Sequence, residues 1–258
     1  MTAELDPHTA KALLDWQIEL GADQAICDTP VNRYDLPDRL TPAKMSQGRG
    51  ANPSQKMVAD PVDEARKIAA ATSDLSGLQS ALAEFEHCEL KRGARNLVFS
   101  DGNAAARVMI VGEAPGRDED IQGKPFVGRA GQLLDRMLAA IDLDRHADSS
   151  ESAVYITNVL PWRPPQNRDP TKEEIAMMRP FVERHVQLIN PDCVVLMGNI
   201  SCDAGLGRRG ITRLRGKWSE AYGKPCLPMF HPAYLLRNPA AKREAWADLL
   251  ELDARRNS

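Results

Sequence analysis

Two spacings of apolar residues alternate along most of this chain. Four short unbroken apolar runs stand out: RVMIVG (107–112), AVYITNV (153–159), DCVVLMG (192–198) and LPMF (227–230). An unbroken run of this length that ends in a turn residue predicts a strand buried on both faces. Between the runs, apolar residues recur every three to four positions, the spacing of a helix with one buried side. Residues 129–141 predict such a helix, with Leu133, Leu134, Met137 and Leu138 on one side. Residues 171–190 predict a longer one, whose first turn carries Glu173 and Glu174 where acids suit the helix dipole. A last helix is predicted over 239–252, and two shorter ones upstream over 62–72 and 75–86. Strands that alternate with helices and are apolar throughout predict an α/β fold with a parallel sheet covered on both faces.

The first sixty residues follow another pattern. Residues 7–20 predict a helix with Ala10, Leu13, Leu14, Ile18 and Leu20 on an approximate face. Residues 23–60 are irregular, with Pro30, Pro37, Pro42, Pro53, Gly48 and Gly50, a composition suited to a linker. The expected division is therefore an N-terminal helix and Pro-rich extension over 1–61 and one folded domain over 62–258. No apolar run approaches bilayer length, and no basic stretch precedes an apolar one at the N-terminus, so a cytoplasmic protein without a membrane partner is expected. Five cysteines, Cys27, Cys88, Cys193, Cys202 and Cys226, form no CxxC pair, which argues against a disulfide framework or a structural zinc. The net charge of -3 excludes no nucleic-acid partner, because only the binding face must be basic. Residues 207–218 hold Arg208, Arg209, Arg213, Arg215 and Lys217 and no acid, a candidate basic footprint.

In parallel α/β sheets, ligands bind beyond the carboxyl ends of the strands. Three polar segments follow predicted strands here: GEAPGRDEDIQGKPFVGRAGQLL (112–134), NVLPWRPPQNRDP (158–170) and HPAYLLRNP (231–239). They would gather acids, amides, an aromatic ring and a histidine at one sheet edge. GxxxxGK[ST] does not occur, and the glutamate in GEAPG would repel a phosphate, so a phosphate-cradling enzyme ranks last.

Taken together, GEAPG, ED, PFVG, TN, RPPQNR and HPAYLLRNP resemble the signature motifs of uracil-DNA glycosylases, specifically the iron–sulfur, family-four type, over about residues 88–252. The resemblance implies a three-layer α/β/α sandwich around a central four-stranded parallel sheet. It implies an enzyme that hydrolyses the N-glycosidic bond of a uracil flipped out of single- or double-stranded DNA, leaving an abasic site. Phe126 would stack on the base, beside Gly112 and Ala114, the latter standing where other uracil glycosylases carry a water-activating Asp. Asn158 would read the Watson–Crick edge, and His231 would donate a hydrogen bond to uracil O2. Glu113 and Glu119 would place the water and stabilise the cationic sugar, with Asn167 also in the site. Tyr234, Leu235, Leu236 and Arg237 would press into the duplex, one leucine filling the gap left by the base, while Arg215 and Lys217 contact phosphates. Ordinary roles stand beside these: core packing for Phe126 and the leucines, a strand-ending turn for Asn158, a solvated loop for Glu119, a solvated face for the basic run.

One departure bears on cofactors. The resembled family holds a four-iron cluster on four cysteines, and the matching positions here are Phe85, Cys88, Trp162 and Met178. One thiolate cannot hold a cluster that needs four. No iron–sulfur centre, metal or other cofactor is therefore expected, with the large apolar residues filling the volume. The alternative function is a damaged-DNA binding module without catalysis. A monomer is expected, because no coiled-coil repeat occurs.

Overall fold

The computed structural model describes residues 60–257. The helix expected over 7–20 and all but the last residue of the 23–60 stretch lie outside the described residues. Six strands form one sheet: β1 (Asp101–Gly102), β2 (Val108–Gly112), β3 (Val154–Asn158), β4 (Cys193–Met197), β5 (Ser219–Ala221) and β6 (Lys224–Met229). Their order is β1-β3-β2-β4-β6-β5. The four central strands are mutually parallel, as the apolar runs predict. The two edge strands are antiparallel, so the sheet is mixed and six-stranded rather than purely parallel. Both edges are too short and too polar to register as apolar runs. β5 turns into β6 through Tyr222 and Gly223, both at positive φ, the two-residue turn whose twist suits a hairpin.

Every residue of β2, β3 and β4 is buried, and successive side chains enter opposite layers. Met109, Val111, Tyr155, Val194 and Leu196 pack into one layer with α1 (Pro61–Ala71), α2 (Leu75–Glu84), α6 (Lys172–Ile189) and α7 (Asn199–Leu206). Val108, Ile110, Ile156, Val195 and Met229 pack into the other with α5 (Arg129–Ala139) and α10 (Lys242–Arg256). The result is the expected α/β/α sandwich. α1 starts where Asp60 caps the amide of Val62 and Pro61 occupies the first turn. α6 starts on a capping box: Glu174 N–H donates to Thr171 Oγ1 at 3.2 Å, and Thr171 N–H donates to Glu174 Oε2 at 2.8 Å.

Shorter helices escaped the spacing argument. α3 (Leu90–Gly93), α4 (Arg117–Gln122), α8 (Ile211–Leu214) and α9 (Pro232–Arg237) span one or two turns each, too few for a repeat to show. α9 lies within the polar segment 231–239, begins on His231 as its cap, and has Pro232 in its first turn. The parallel register places Gly112 opposite Asn158, so the second and third strands end side by side.

Phe85, Cys88, Trp162 and Met178 are all buried in the layer that holds α6, with Phe85 meeting Phe181 edge-on at 5.3 Å. Phe85→Ala removes a whole ring from this packing and is expected to destabilise the protein by about 3–5 kcal/mol. Cys88→Ala removes one sulfur and is expected to cost about 1 kcal/mol. Urea midpoints of the two variants check this; a loss in Cys88→Ala as large as that in Phe85→Ala would show that the ring does not dominate the packing of the region.

Candidate active site

The site begins with a glycine that has no room to be anything else. A Cβ on Gly112 would lie 2.3 Å from Asn158 Oδ1 and 2.5 Å from the Phe126 ring. The Asn158 amide and the Phe126 ring therefore close over the backbone at the end of β2. From there the chain passes Glu113 and the half-buried Ala114, enters α4, and leaves it at Gly123, whose left-handed φ of 72° ends the helix. It then reaches Phe126, which is 5% exposed and also left-handed, with φ 54°.

Left-handed backbone in a bulky residue costs about 1–3 kcal/mol and persists only where neighbours enforce it. Three neighbours do so here. Glu119 Oε1 accepts from the amides of Val127 at 3.0 Å and Gly128 at 2.8 Å, while its Oε2 accepts from Gly116 N–H at 3.1 Å. Arg145 donates to the carbonyl oxygens of Pro125 and Phe126, each at 3.0 Å. Gly131 admits the Phe126 carbonyl, which would lie 1.7 Å from any Cβ there. Glu119 was expected at the water. Its carboxylate is instead turned onto three backbone amides, where it braces the Phe126 loop.

Asn158 ends β3 at 6% exposure, and its Oδ1 has no hydrogen-bond partner. Buried polar atoms are nearly always paired, so an orphan acceptor at a strand end, against an aromatic ring, marks a place for a ligand donor. His231 stacks on Phe126 with ring centroids 5.4 Å apart and planes 28° apart. Its Nδ1 accepts from Ala233 N–H at 3.2 Å as the cap of α9. A neutral ring so held carries its proton on Nε2. Burial, with the Arg237 charge adding to it, pushes the His231 pKa down to about 4, so the ring is neutral at pH 7. Gly198, at φ 93°, leaves room for this residue at the end of β4, where a Cβ would stand 3.1 Å from His231 Cβ. Burial raises the Glu113 pKa above the usual carboxylate range, and the charge of Asp169 adds to this, against Arg209 and Arg237.

The remaining expectations divide. Asn167 stands on an exposed turn at φ 55°, and its amide oxygen is taken by Arg163 Nε at 2.8 Å. Arg215, expected on phosphates, is committed inside the protein. It pairs with the buried Asp248, donates to the Glu244 carbonyl, and lies over the Phe230 ring at 5.5 Å. Leu235 is 1% exposed and belongs to the core, so it cannot enter a duplex. Leu236 and Tyr234 are half-buried, Tyr234 stacking on Phe230 at 4.9 Å, and Lys217 and Arg237 are exposed. Arg145 and Gly198 carry no local signal in the sequence; for Gly131 the available signal is the GRAG spacing, which sets a small residue in the first turn of α5.

The residues do not fit an iron–sulfur cluster. Cys88 is enclosed by apolar side chains, and burial pushes its thiol up, away from the thiolate that a metal requires. Cys193, Cys202 and Cys226 sit on β4, α7 and β6. Among the described residues, no group of three or more His, Cys, Asp and Glu is disposed to hold a metal ion. No helix among them is long and apolar enough to cross a membrane.

Comparison with known proteins identifies the family. Residues 99–250, more than half of the chain, match the model of the Uracil DNA glycosylase superfamily. A type-4 uracil-DNA glycosylase of Archaeoglobus fulgidus is 40% identical over 174 residues, 64% of this chain and 84% of the relative. One of Thermotoga maritima is 42% identical over 154 residues, 58% of this chain and 77% of the relative. A type-5 uracil-DNA glycosylase of Pyrobaculum aerophilum is 31% identical over 146 residues, 52% and 64% of the two chains. The chain belongs to the uracil-DNA glycosylase superfamily.

Proposed function

We propose that this protein is a monofunctional uracil-DNA glycosylase, which takes uracil out of the DNA stack and hydrolyses its N-glycosidic bond, leaving free uracil and an abasic site. The observation that carries the reading is the buried, unpartnered Asn158 Oδ1 beside the Phe126 ring. Uracil offers a donor at N3–H and an acceptor at O4, and one amide complements both. Cytosine presents the opposite pair on that edge, so it would leave buried groups unpaired, which is the strong form of discrimination. The ring beneath supplies stacking, typically worth about 1–3 kcal/mol per base.

Cleavage moves negative charge onto the departing base. A neutral His231 with its proton on Nε2 is a donor already in place for that charge, and it need not give up its proton to act. The same step leaves positive charge on the sugar. Of Glu113 and Glu119, Glu113 is the one whose carboxylate accepts from no backbone amide among the described residues, and we assign it to that charge and to the attacking water. Glu119 acts at one remove, by holding the loop that carries Phe126. Exposed Lys217, Arg208, Arg213 and Arg237 supply candidate phosphate contacts, and Leu236 is the leucine free to fill the vacated stack. Uracil-containing DNA is the partner, and the described residues offer no thiolate set for a cluster to serve in the reaction.

His231→Ala is expected to lower kcat by about 10²–10³-fold, the usual loss on removing one such donor. Asn158→Ala should lower kcat/KM to a similar extent while the protein stays folded. Alkali cleavage of a labelled single-stranded oligonucleotide bearing one uracil reads both, and wild-type rates in either variant would sink its assigned role.

The pH profile carries a second expectation. With a folded pKa of about 4, His231 protonates only well below the ordinary histidine range, so acidification from pH 8 to 6 leaves its donor intact. No acid limb near pH 6.5 should then appear in kcat. A limb there that is absent from His231→Asn would contradict the neutral ring. The unfolded chain also binds this proton more readily, so His231 makes stability fall as pH drops from about 6.5 towards 4.

The two basic residues 215 and 217 should separate in their effects. Lys217→Ala is expected to weaken DNA binding, to reduce the salt slope of log Kd by about 1, and to leave the urea midpoint unchanged. Arg215→Ala should lower the urea midpoint, because it leaves the buried Asp248 uncompensated. Fluorescence anisotropy over a salt series, with urea melts alongside, makes the comparison.

A further inference from the structure

Arg145 lies beyond α5, outside all three motif segments, yet its side chain is only 4% exposed. Its guanidinium is fully committed. Nε and Nη2 donate to Asp135 Oδ1 of α5 at 2.9 and 2.6 Å. Nη1 donates to Asp101 Oδ2 of β1 at 3.2 Å and to the Pro125 carbonyl at 3.0 Å. Nη2 also reaches the Phe126 carbonyl at 3.0 Å. Burial raises the Asp101 carboxyl, but Lys124 and Arg145 more than offset it and hold it below its ordinary value, so this acid stays charged beside the guanidinium.

The two carbonyls are consecutive, and Phe126 stands between their peptide planes. Holding both planes on one rigid fork fixes the φ and ψ of Phe126, and with them the direction in which its ring leaves the backbone. That direction is not one a phenylalanine adopts by preference, since φ is 54°. The ring must also fit against Gly112 and His231 with no slack on the Gly112 side.

We propose that Arg145 is a positioning residue for substrate recognition: it sets the angle of the Phe126 ring on which the extruded base lies. The proposal rests on the reading of Phe126 as the stacking ring. A lysine in its place keeps the charge but loses the planar fork, so it satisfies the two aspartates without fixing both carbonyls.

A double-mutant cycle tests this, with kcat/KM measured on a single-stranded uracil oligonucleotide for wild type, Arg145→Lys, Phe126→Ala and the double variant. Arg145→Lys is expected to lose about 10²-fold, the size of effect that a misplaced recognition group produces. In the Phe126→Ala background the same change should cost less than about threefold, because no ring remains to be placed. A merely structural role would give the same loss in both backgrounds and would overturn the proposal, as would wild-type activity in Arg145→Lys. Should Phe126→Ala itself retain wild-type kcat/KM, the stacking reading fails and the proposal with it, a distinct outcome. If Arg145→Lys does not fold, Asp135→Asn replaces it in the cycle. That change leaves the guanidinium in place but loosens one anchor on the half-exposed α5 face, and a smaller loss, again absent without the Phe126 ring, is expected.

Discussion

The backbone at Phe126 is held from both of its sides. Its own carbonyl and the one before it point at a buried cation, Arg145, and the two amides that follow point at an anion, Glu119. A carbonyl seeks positive charge and an amide seeks negative charge, so a cation and an anion placed on the two flanks fix a conformation that sterics alone disfavour. Much of the surrounding structure exists to make this possible. β1 brings Asp101, α5 brings Asp135, and α4 brings Glu119 in its first turn, where its charge also suits the helix dipole. Gly112 and Gly131 are the two positions where any side chain would collide with the ring or its carbonyl. Seen this way, the two-residue β1 is less a strand than an anchor for the site.

The polar side chains that converge on the Phe126 ring are neutral. Asn158 contributes an amide and His231 a ring held below its ordinary pKa, while the nearby charges are those of Glu113, Asp169, Arg209 and Arg237. A neutral pocket suits a neutral base in its ground state, because no buried ion must be desolvated to admit it. Under the proposed function, the same pocket would favour the departing anion more, since a donor in surroundings of low dielectric gains strength as its partner becomes charged. The difference between those two states is what accelerates a reaction. A protonated His231 would reverse part of this gain by attracting the ground state as well.

The sequence displays this architecture unevenly, for physical reasons. Strands β2, β3 and β4 are legible because burial on both faces demands apolar residues at every position. β1 and β5 are not, because two or three polar residues at an edge leave no pattern. α9 hid in the same way, its six residues starting at a proline. The motif segments hold Gly112, Phe126, Asn158 and His231, which the fold brings side by side. The errors lie where type and position agree but partners decide. Glu119 looked like a site acid and became a backbone brace, Arg215 looked like a phosphate ligand and became half of a buried ion pair, and Leu235 looked like a wedge and became core. Arg145 sits in IDLDRHADSS, among residues typical of a surface loop, and nothing local distinguishes it from a solvated arginine.

The same logic bears on the region around Cys88, where the resembled family sets a metal cluster. Such a cluster would tie together the segment before β1, the loop after β3 and the first half of α6. Here those three pieces contribute Phe85, Trp162 and Met178 to one apolar layer. The loop after β3 is also fastened by its backbone, with Val98 N–H donating to the Pro161 carbonyl at 2.9 Å and Leu160 N–H to the Glu113 carbonyl at 3.0 Å. The second of these bonds joins the loop directly to the carboxylate residue of the site. What the site needs from this region is that Asn158 and Glu113 keep their separation, a mechanical requirement that close packing meets as readily as coordination does. Packing is non-directional but incompressible at this density, so large rings suit the task better than small side chains. Under the proposed function, the chemistry would lie at the strand ends, and Phe85, Trp162 and Met178 would stiffen the loops behind them by packing.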